Sequence, residues 1–232
     1  MRNYIIIGGS SGIGEGIVNL LEQEEATVLA TYNNNEKQDR NKIRYLQFDA
    51  LNDTLNLDDL PDEIHGLAYC PGTINLKPFH RFTDEDFIED FKIQVLGATK
   101  IIKQLLPKLK KSKEASIVLF STVAVQFGFN FHSQVSISKG AIEGLTRSLA
   151  SELSPNIRVN AIAPALTNTS LAGKLLNTPE KLSFHAEKNP LKKVGEAKDV
   201  AQAAVFLLSE KASWITGQIL HVDGGIGDLK TN

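Results

Sequence analysis

Two stretches of this chain carry residue types that could do chemistry. The first is HSQVSISKG, His132 to Gly140, in which Lys139 follows Val135 by four residues. Positions four apart share one helix face, so the two point the same way. Val135 can neither donate nor accept a proton, whereas Lys139 and His132 are both titratable, and a histidine ionises near ~6.5, suited to proton donation near neutral pH. The second is GGSSGIG, Gly8 to Gly14. Gly8 and Gly12 let the backbone turn tightly and approach a diphosphate, and Gly14 lets a helix pack closely on a strand. The free N–H groups of a helix starting within Ser10, Ser11 and Ile13 would face the anion.

These segments need a scaffold, and the apolar pattern supplies one. Short β-branched runs read as strands over Tyr4–Gly9, Ala26–Tyr32, Ile43–Phe48, Gly66–Cys70, Ala115–Ser121 and Ile157–Pro164, with a seventh in QILHVDGG. Between them Ile13, Ile17, Leu20 and Leu21 recur at helical spacing. Phe87 to Leu109 does so too, as the longest amphipathic helix, followed by the segments through Ala141–Leu153 and Val200–Leu208. Strands alternating with helices predict an α/β fold: a single-domain, Rossmann-type doubly wound parallel sheet of about seven strands with helices on both faces, spanning 1–232. The polar link NNNEKQDRNK has room for a helical turn or two. Residues 166–194 lack a clean period and hold Gly173, Pro179 and Pro190, which predicts a substrate lid over the ligand-binding edge.

Bulk properties exclude several function classes. A net charge of -2 argues against nucleic acid or a membrane surface as partner. Cys70 is the only cysteine, so no intrachain disulfide forms, which fits a reducing compartment. No leader-like or membrane-spanning run stands out, and the expected location is the cytoplasm. His65, His80 and Cys70 show no metal-ligand spacing, so no metal is expected. The acidic run Asp84–Asp90 reads as a solvated helix start, and Trp214 is expected to pack against the last strand.

The spacing Gly8-x3-Gly12-x-Gly14 resembles that of the short-chain dehydrogenase/reductase family. Four further landmarks follow in the family's order: FDA at Phe48–Ala50, PALTNTS at Pro164–Ser170, GEAKDVA at Gly195–Ala201 and ITGQILHVDGG at Ile215–Gly225. The resemblance covers nearly the whole chain. It departs at Ile7 for threonine, Ala165 for glycine, Ala197 for proline, and Tyr69-Cys70-Pro71-Gly72 for Asn-Asn-Ala-Gly.

The resemblance implies a nicotinamide dinucleotide as cofactor, held by Gly8, Ser10, Ser11, Gly12, Ile13, Gly14, Asp49 with Ala50 at the adenine, Pro71, Gly72, Pro164, Thr169 and the end of the second strand at Tyr32 and Asn33. That strand end carries neither the acid that favours NAD nor an arginine for the 2′-phosphate of NADP; Lys37 and Arg40 follow later. The missing acid leans toward NADP over NAD. The family's catalytic serine, water-relay asparagine and Tyr-x3-Lys pair correspond to Thr122, Gln94, Val135 and Lys139. Lys139 would also hold the nicotinamide ribose. With no tyrosine at Val135, another donor is needed: His132, Lys139, or a water held by Thr122 and Lys139. The expected function is therefore an NAD(P)-dependent oxidoreductase of a small carbonyl or alcohol substrate with a non-standard proton donor. The competing reading is a dinucleotide-binding sensor or inactive partner subunit without turnover. A homo-oligomer, dimer or tetramer, is the expectation the resemblance carries.

Overall fold

A computed structural model describes residues 2–230; Met1, Thr231 and Asn232, the ends of the expected 1–232 domain, lie outside the described residues. Seven strands form one sheet in the order β3-β2-β1-β4-β5-β6-β9. They are β1 (Asn3–Ile7), β2 (Thr27–Tyr32), β3 (Ile43–Gln47), β4 (Gly66–Tyr69), β5 (Ala115–Phe120), β6 (Ile157–Pro164) and β9 (Ile219–Val222). Every neighbouring pair is parallel. The strand order reverses beside β1, where the crossovers leave on opposite faces. That opens a crevice at the carboxyl ends of β1 and β4, the place such sheets bind ligands.

The alternation of strand side chains divides the core in two. Tyr4 and Ile6 of β1 face α1 (Gly12–Gln23) and α7 (Ala197–Leu208), packing with Ile17, Val18, Leu21 and Val200. Ile5 and Ile7 face the opposite way, onto Leu67, Val95, Ala98 and Ile101. α2 (Asp84–Phe91), α3 (Gly97–Leu109) and α4 (Ser133–Leu153) cover that second face. Both faces of the central strands are dry, which is why β1, β4 and β5 read as continuous apolar runs.

The single helix expected over Phe87–Leu109 is interrupted: a π turn spans Lys92–Leu96 between α2 and α3, leaving α4, at 21 residues, the longest unbroken helix. The link between β2 and β3 carries no helix, only bends and an Arg40–Ile43 bridge. Residues 166–194 are more ordered than their sequence pattern suggests. β7 (Thr167–Asn168) pairs with β8 (Gly195–Glu196), and α5 (Gly173–Leu176) and α6 (Pro179–Lys188) lie between them, α6 capped by Thr178 with Pro179 in its first turn. Trp214 does not pack against β9: it is 99% exposed.

Candidate active site

The glycine loop turns between β1 and α1 as its spacing requires. Gly8 and Gly12 have φ of 76° and 53°, where a side chain is strained. Gly14 is needed for closeness: a Cβ there would stand 2.1 Å from the Gly8 carbonyl oxygen. Ser11 occupies the cap position of α1 with no side-chain hydrogen bond, so the first-turn amides of α1 are left for another acceptor. A cleft of about 440 Å³ opens in front of them.

Gly8, Ser10, Ser11, Gly12, Ile13 and Gly14 line this cleft on one side. Asp49, Ala50, Pro71, Gly72 and Thr169 close it on others. Asn33 lines it, but Tyr32 does not; Thr31 does instead, its hydroxyl accepting from the Gly8 amide at 3.0 Å. Residues 31 and 33 share one side of the extended chain and residue 32 points to the other. Asn34 and Asn35 complete that wall, and Asn35 Nδ2 donates to the Ser10 carbonyl at 2.8 Å. Pro164 ends β6 opposite Val222 and is not part of the lining. The Asp49 carboxylate accepts from the Leu51 amide at 2.8 Å and from Asn52 Nδ2 at 2.9 Å. Those bonds hold its pKa below the usual carboxylate value.

At the far end of the cleft, Gly72 brings the two amphipathic segments together. A Cβ on Gly72 would lie 3.3 Å from Gln94 Oε1 and 3.6 Å from Lys139 Nζ. Gln94, in the π turn, is 1% exposed, and its Nε2 donates to both oxygens of Asp90 at 2.8 Å. Thr73 also donates its hydroxyl to Asp90. Asp90 is thus buried, 3% exposed, and is no member of a solvated helix start. Asp84, Glu85 and Asp86 do form that start, under a capping box with Thr83. Burial pushes the Lys139 ammonium down from 10.5 to about 8, against the opposing pull of Asp90 and Cys70. Burial also pushes the Cys70 thiol up to about 12.

Thr122 caps the short turn after β5: its Oγ1 accepts from the Ala124 amide at 3.3 Å, which leaves its O–H free to donate. The adjacent Ser121 is committed elsewhere, donating to Glu143 at 2.8 Å. Val135 is buried on α4, 5% exposed. His132 stands at the amino end of α4, its Nδ1 2.7 Å from the Asn130 carbonyl and its ring against Phe129. Among the described residues no hydrogen bond ties it to Lys139, Gln94 or Thr122. Sequence reasoning did not name Thr31, Asn34, Asn35, Ile93 or Asp90 as site residues, and it marked Cys70 only as a departure from the strand-end motif. Only Asp90 left a signal, its spacing of four from Gln94.

Residues 8–227 match the family described as enoyl-(acyl carrier protein) reductase. The chain belongs to the short-chain dehydrogenase/reductase family of NAD(P)-dependent oxidoreductases. It is 33% identical to a tropinone reductase homolog of Arabidopsis thaliana, over 97% of this chain and 92% of that one. It is 30% identical to the 3-oxoacyl-acyl-carrier-protein reductase of Thermotoga maritima, over 96% of each. The ligand-free aldohexose dehydrogenase of Thermoplasma acidophilum superposes with a TM-score of 0.89 at 25% identity, covering 100% of this chain and 97% of that one. A dinucleotide fits the residues present. The glycine turn presents free amides, its backbone sits where a Cβ would intrude, and Gln94 Oε1 is buried without a hydrogen-bond partner among the described residues.

Proposed function

We propose that this protein is an NAD(P)-dependent oxidoreductase that interconverts a small carbonyl and its alcohol, with Lys139 rather than a tyrosine as proton donor. The observation that carries this reading is the placement of Lys139 Nζ and Gln94 Oε1 beside Gly72, which lines the cleft that begins at the glycine turn. The dinucleotide supplies the hydride when bound. Gly8 through Gly14 would hold its diphosphate, and Asp49 with Ala50 its adenine. Thr122 would orient the substrate carbonyl through its free O–H. As the carbonyl carbon gains the hydride, its oxygen takes a proton from Lys139 Nζ. One N–H bond breaks, one O–H bond forms, and the neutral amine regains a proton from solvent. A lysine with a pKa near 8 is mostly protonated at neutral pH and can give its proton up, in the range that suits a general acid.

NADP is favoured over NAD because asparagines line the cleft where an acid would face a ribose 2′-hydroxyl. The 166–194 excursion would act as the substrate lid; Leu171 and Phe184 are exposed on it and favour an apolar substrate surface. Assembly into a homo-oligomer and a cytoplasmic location belong to this reading. Among the described residues no helix is long and apolar enough to cross a membrane.

Val135 favours a second reading, a dinucleotide-binding protein without turnover, because the family's donor position is filled by an apolar, buried side chain. Titration calorimetry with NADPH and NADH, followed by a panel of aldehydes and ketones monitored by nicotinamide absorbance, decides between them. Binding with oxidation of the reduced dinucleotide supports the enzyme. Tight binding with no oxidation across the panel supports the second reading, and no binding removes both.

A further inference from the structure

The Asp90 carboxylate is a feature of this pocket that the family resemblance does not account for. It comes from the last turn of α2, is 3% exposed, and takes three hydrogen bonds, from Gln94 Nε2 to each oxygen and from Thr73. A carboxylate that only accepts must face the amide nitrogen, so the Gln94 oxygen is turned the other way. That oxygen, unpartnered among the described residues, shares the small space beside Gly72 with Lys139 Nζ.

We propose that Asp90 is a positioning residue for the proton donor: it turns Gln94 Oε1 into the space beside Gly72 that Lys139 Nζ also borders, and its negative charge favours the ammonium form of Lys139. This rests on the reading of Lys139 as the donor. Two titratable groups act on the Lys139 charge. From the residue after β4 comes the Cys70 thiol, which burial keeps neutral by pushing its pKa up to about 12. From α2 comes Asp90, whose charge opposes the loss of the Lys139 proton. On α4 itself Glu143 is one turn away, but it accepts from Ser121 and pairs with Arg147 at 3.4 Å. Thr73 and Gln94 are in turn the groups that hydrogen-bond Asp90. Without Asp90, desolvation would act on Lys139 with no opposing charge, since the thiol is neutral, and the Gln94 amide would be free to rotate its NH₂ toward the ammonium.

The test is made on the ligand-free protein, so that it does not depend on turnover. Lysine carrying ¹³C at Cε is incorporated, the Lys139 signal is assigned by its loss in Lys139→Met, and its chemical shift is followed with pH. In Asp90→Asn, which keeps the shape and removes the charge, the Lys139 midpoint falls by about one pH unit or more. The alkaline limb of the turnover profile moves in the same direction. A residue with only a structural role would lower the amplitude and leave both midpoints in place. An unmoved Lys139 midpoint in a folded Asp90→Asn overturns the proposal. Should that variant not fold, Gln94→Met removes the aimed acceptor and keeps the carboxylate: a lowered midpoint supports the proposal and an unchanged one overturns it. A shifted midpoint in a protein that oxidises no dinucleotide would keep the coupling and remove the donor reading. Turnover with an unmoved midpoint would do the reverse.

Discussion

The Tyr69 hydroxyl donates to the Ile93 carbonyl at 2.6 Å, from the end of β4 to the middle of the π turn. A π turn frees carbonyls that the α-helical pattern would have used, and this bond takes up one of them. The same hydroxyl lies 2.2 Å from where a Cβ would stand on Gly97, so the first residue of α3 must lack a side chain. Together they fix the turn that carries Gln94.

That relationship predicts coupling between the two sites. Tyr69→Phe should cost about 1 kcal/mol for the lost hydrogen bond. Gly97→Ala should cost roughly 1–3 kcal/mol from overpacking. Combined, they should cost less than the sum, because removing the hydroxyl leaves the new methyl 3.2 Å from Tyr69 Cζ. Urea denaturation of the four proteins measures the coupling, and strict additivity would show that the two residues do not compete for this space.

Gly14→Ala should abolish dinucleotide binding and destabilise the protein by about 3 kcal/mol. The added methyl meets backbone, the Gly8 carbonyl at 2.1 Å, which cannot rotate away as a side chain could. Calorimetric titration and thermal melting check the two effects separately.

The pH dependence of stability follows from Lys139. Its pKa is lowered from 10.5 to about 8 in the folded protein, so between those values the unfolded chain binds more protons. Stability contributed by this group therefore rises with pH across that window and is lowest below about 8. Cys70 acts in the opposite sense from pH 9 upward, because its folded value is raised from 9.0 to about 12. Between pH 8 and 9 the lysine acts nearly alone. The unfolding free energy of the wild type should rise relative to Lys139→Met over that interval. A constant difference between the two would show that Lys139 titrates as it does in water.

Val135→Tyr restores a phenol one helical turn before Lys139. Reductase activity on simple ketones should appear or rise by about 10²-fold, the usual contribution of one acid/base partner. If it has no effect while Thr122→Ala abolishes a native activity, the proton does not come from the phenol position.

Lys37 pairs with Glu15, in the first turn of α1, at 2.8 Å with both side chains about a third exposed. A partly exposed pair of this kind is worth at most about 1 kcal/mol, so it can be exchanged for a phosphate. Lys37→Ala should weaken NADPH binding several-fold and leave NADH binding unchanged. Equal losses for both, measured by fluorescence titration, would place the 2′-phosphate elsewhere.

Much of the site was legible before any coordinates. Gly8, Gly12 and Gly14 announce their turn by type and spacing, because few other residues fit those backbone positions. The apolar runs of the central strands announce a sheet buried on both faces, because only such a sheet leaves no polar side. Lys139 and Val135 lie on one helix, where spacing alone puts them on one face. Thr31 was missed and Tyr32 named in its place, since a single step along a strand reverses the side chain and the sequence does not mark which face meets the cleft. Asp90 looked like one more carboxylate at a solvated helix start. Its burial depends on the loop after β4 bringing Thr73 over α2, and on a π turn aiming Gln94 back at it. The order β3-β2-β1-β4-β5-β6-β9 sets Cys70 and Gly72 beside Lys139, residues nearly seventy positions apart. Local chemistry is written in residue type and period, but the electrostatic setting of Lys139 arises from long-range packing, which no local pattern encodes.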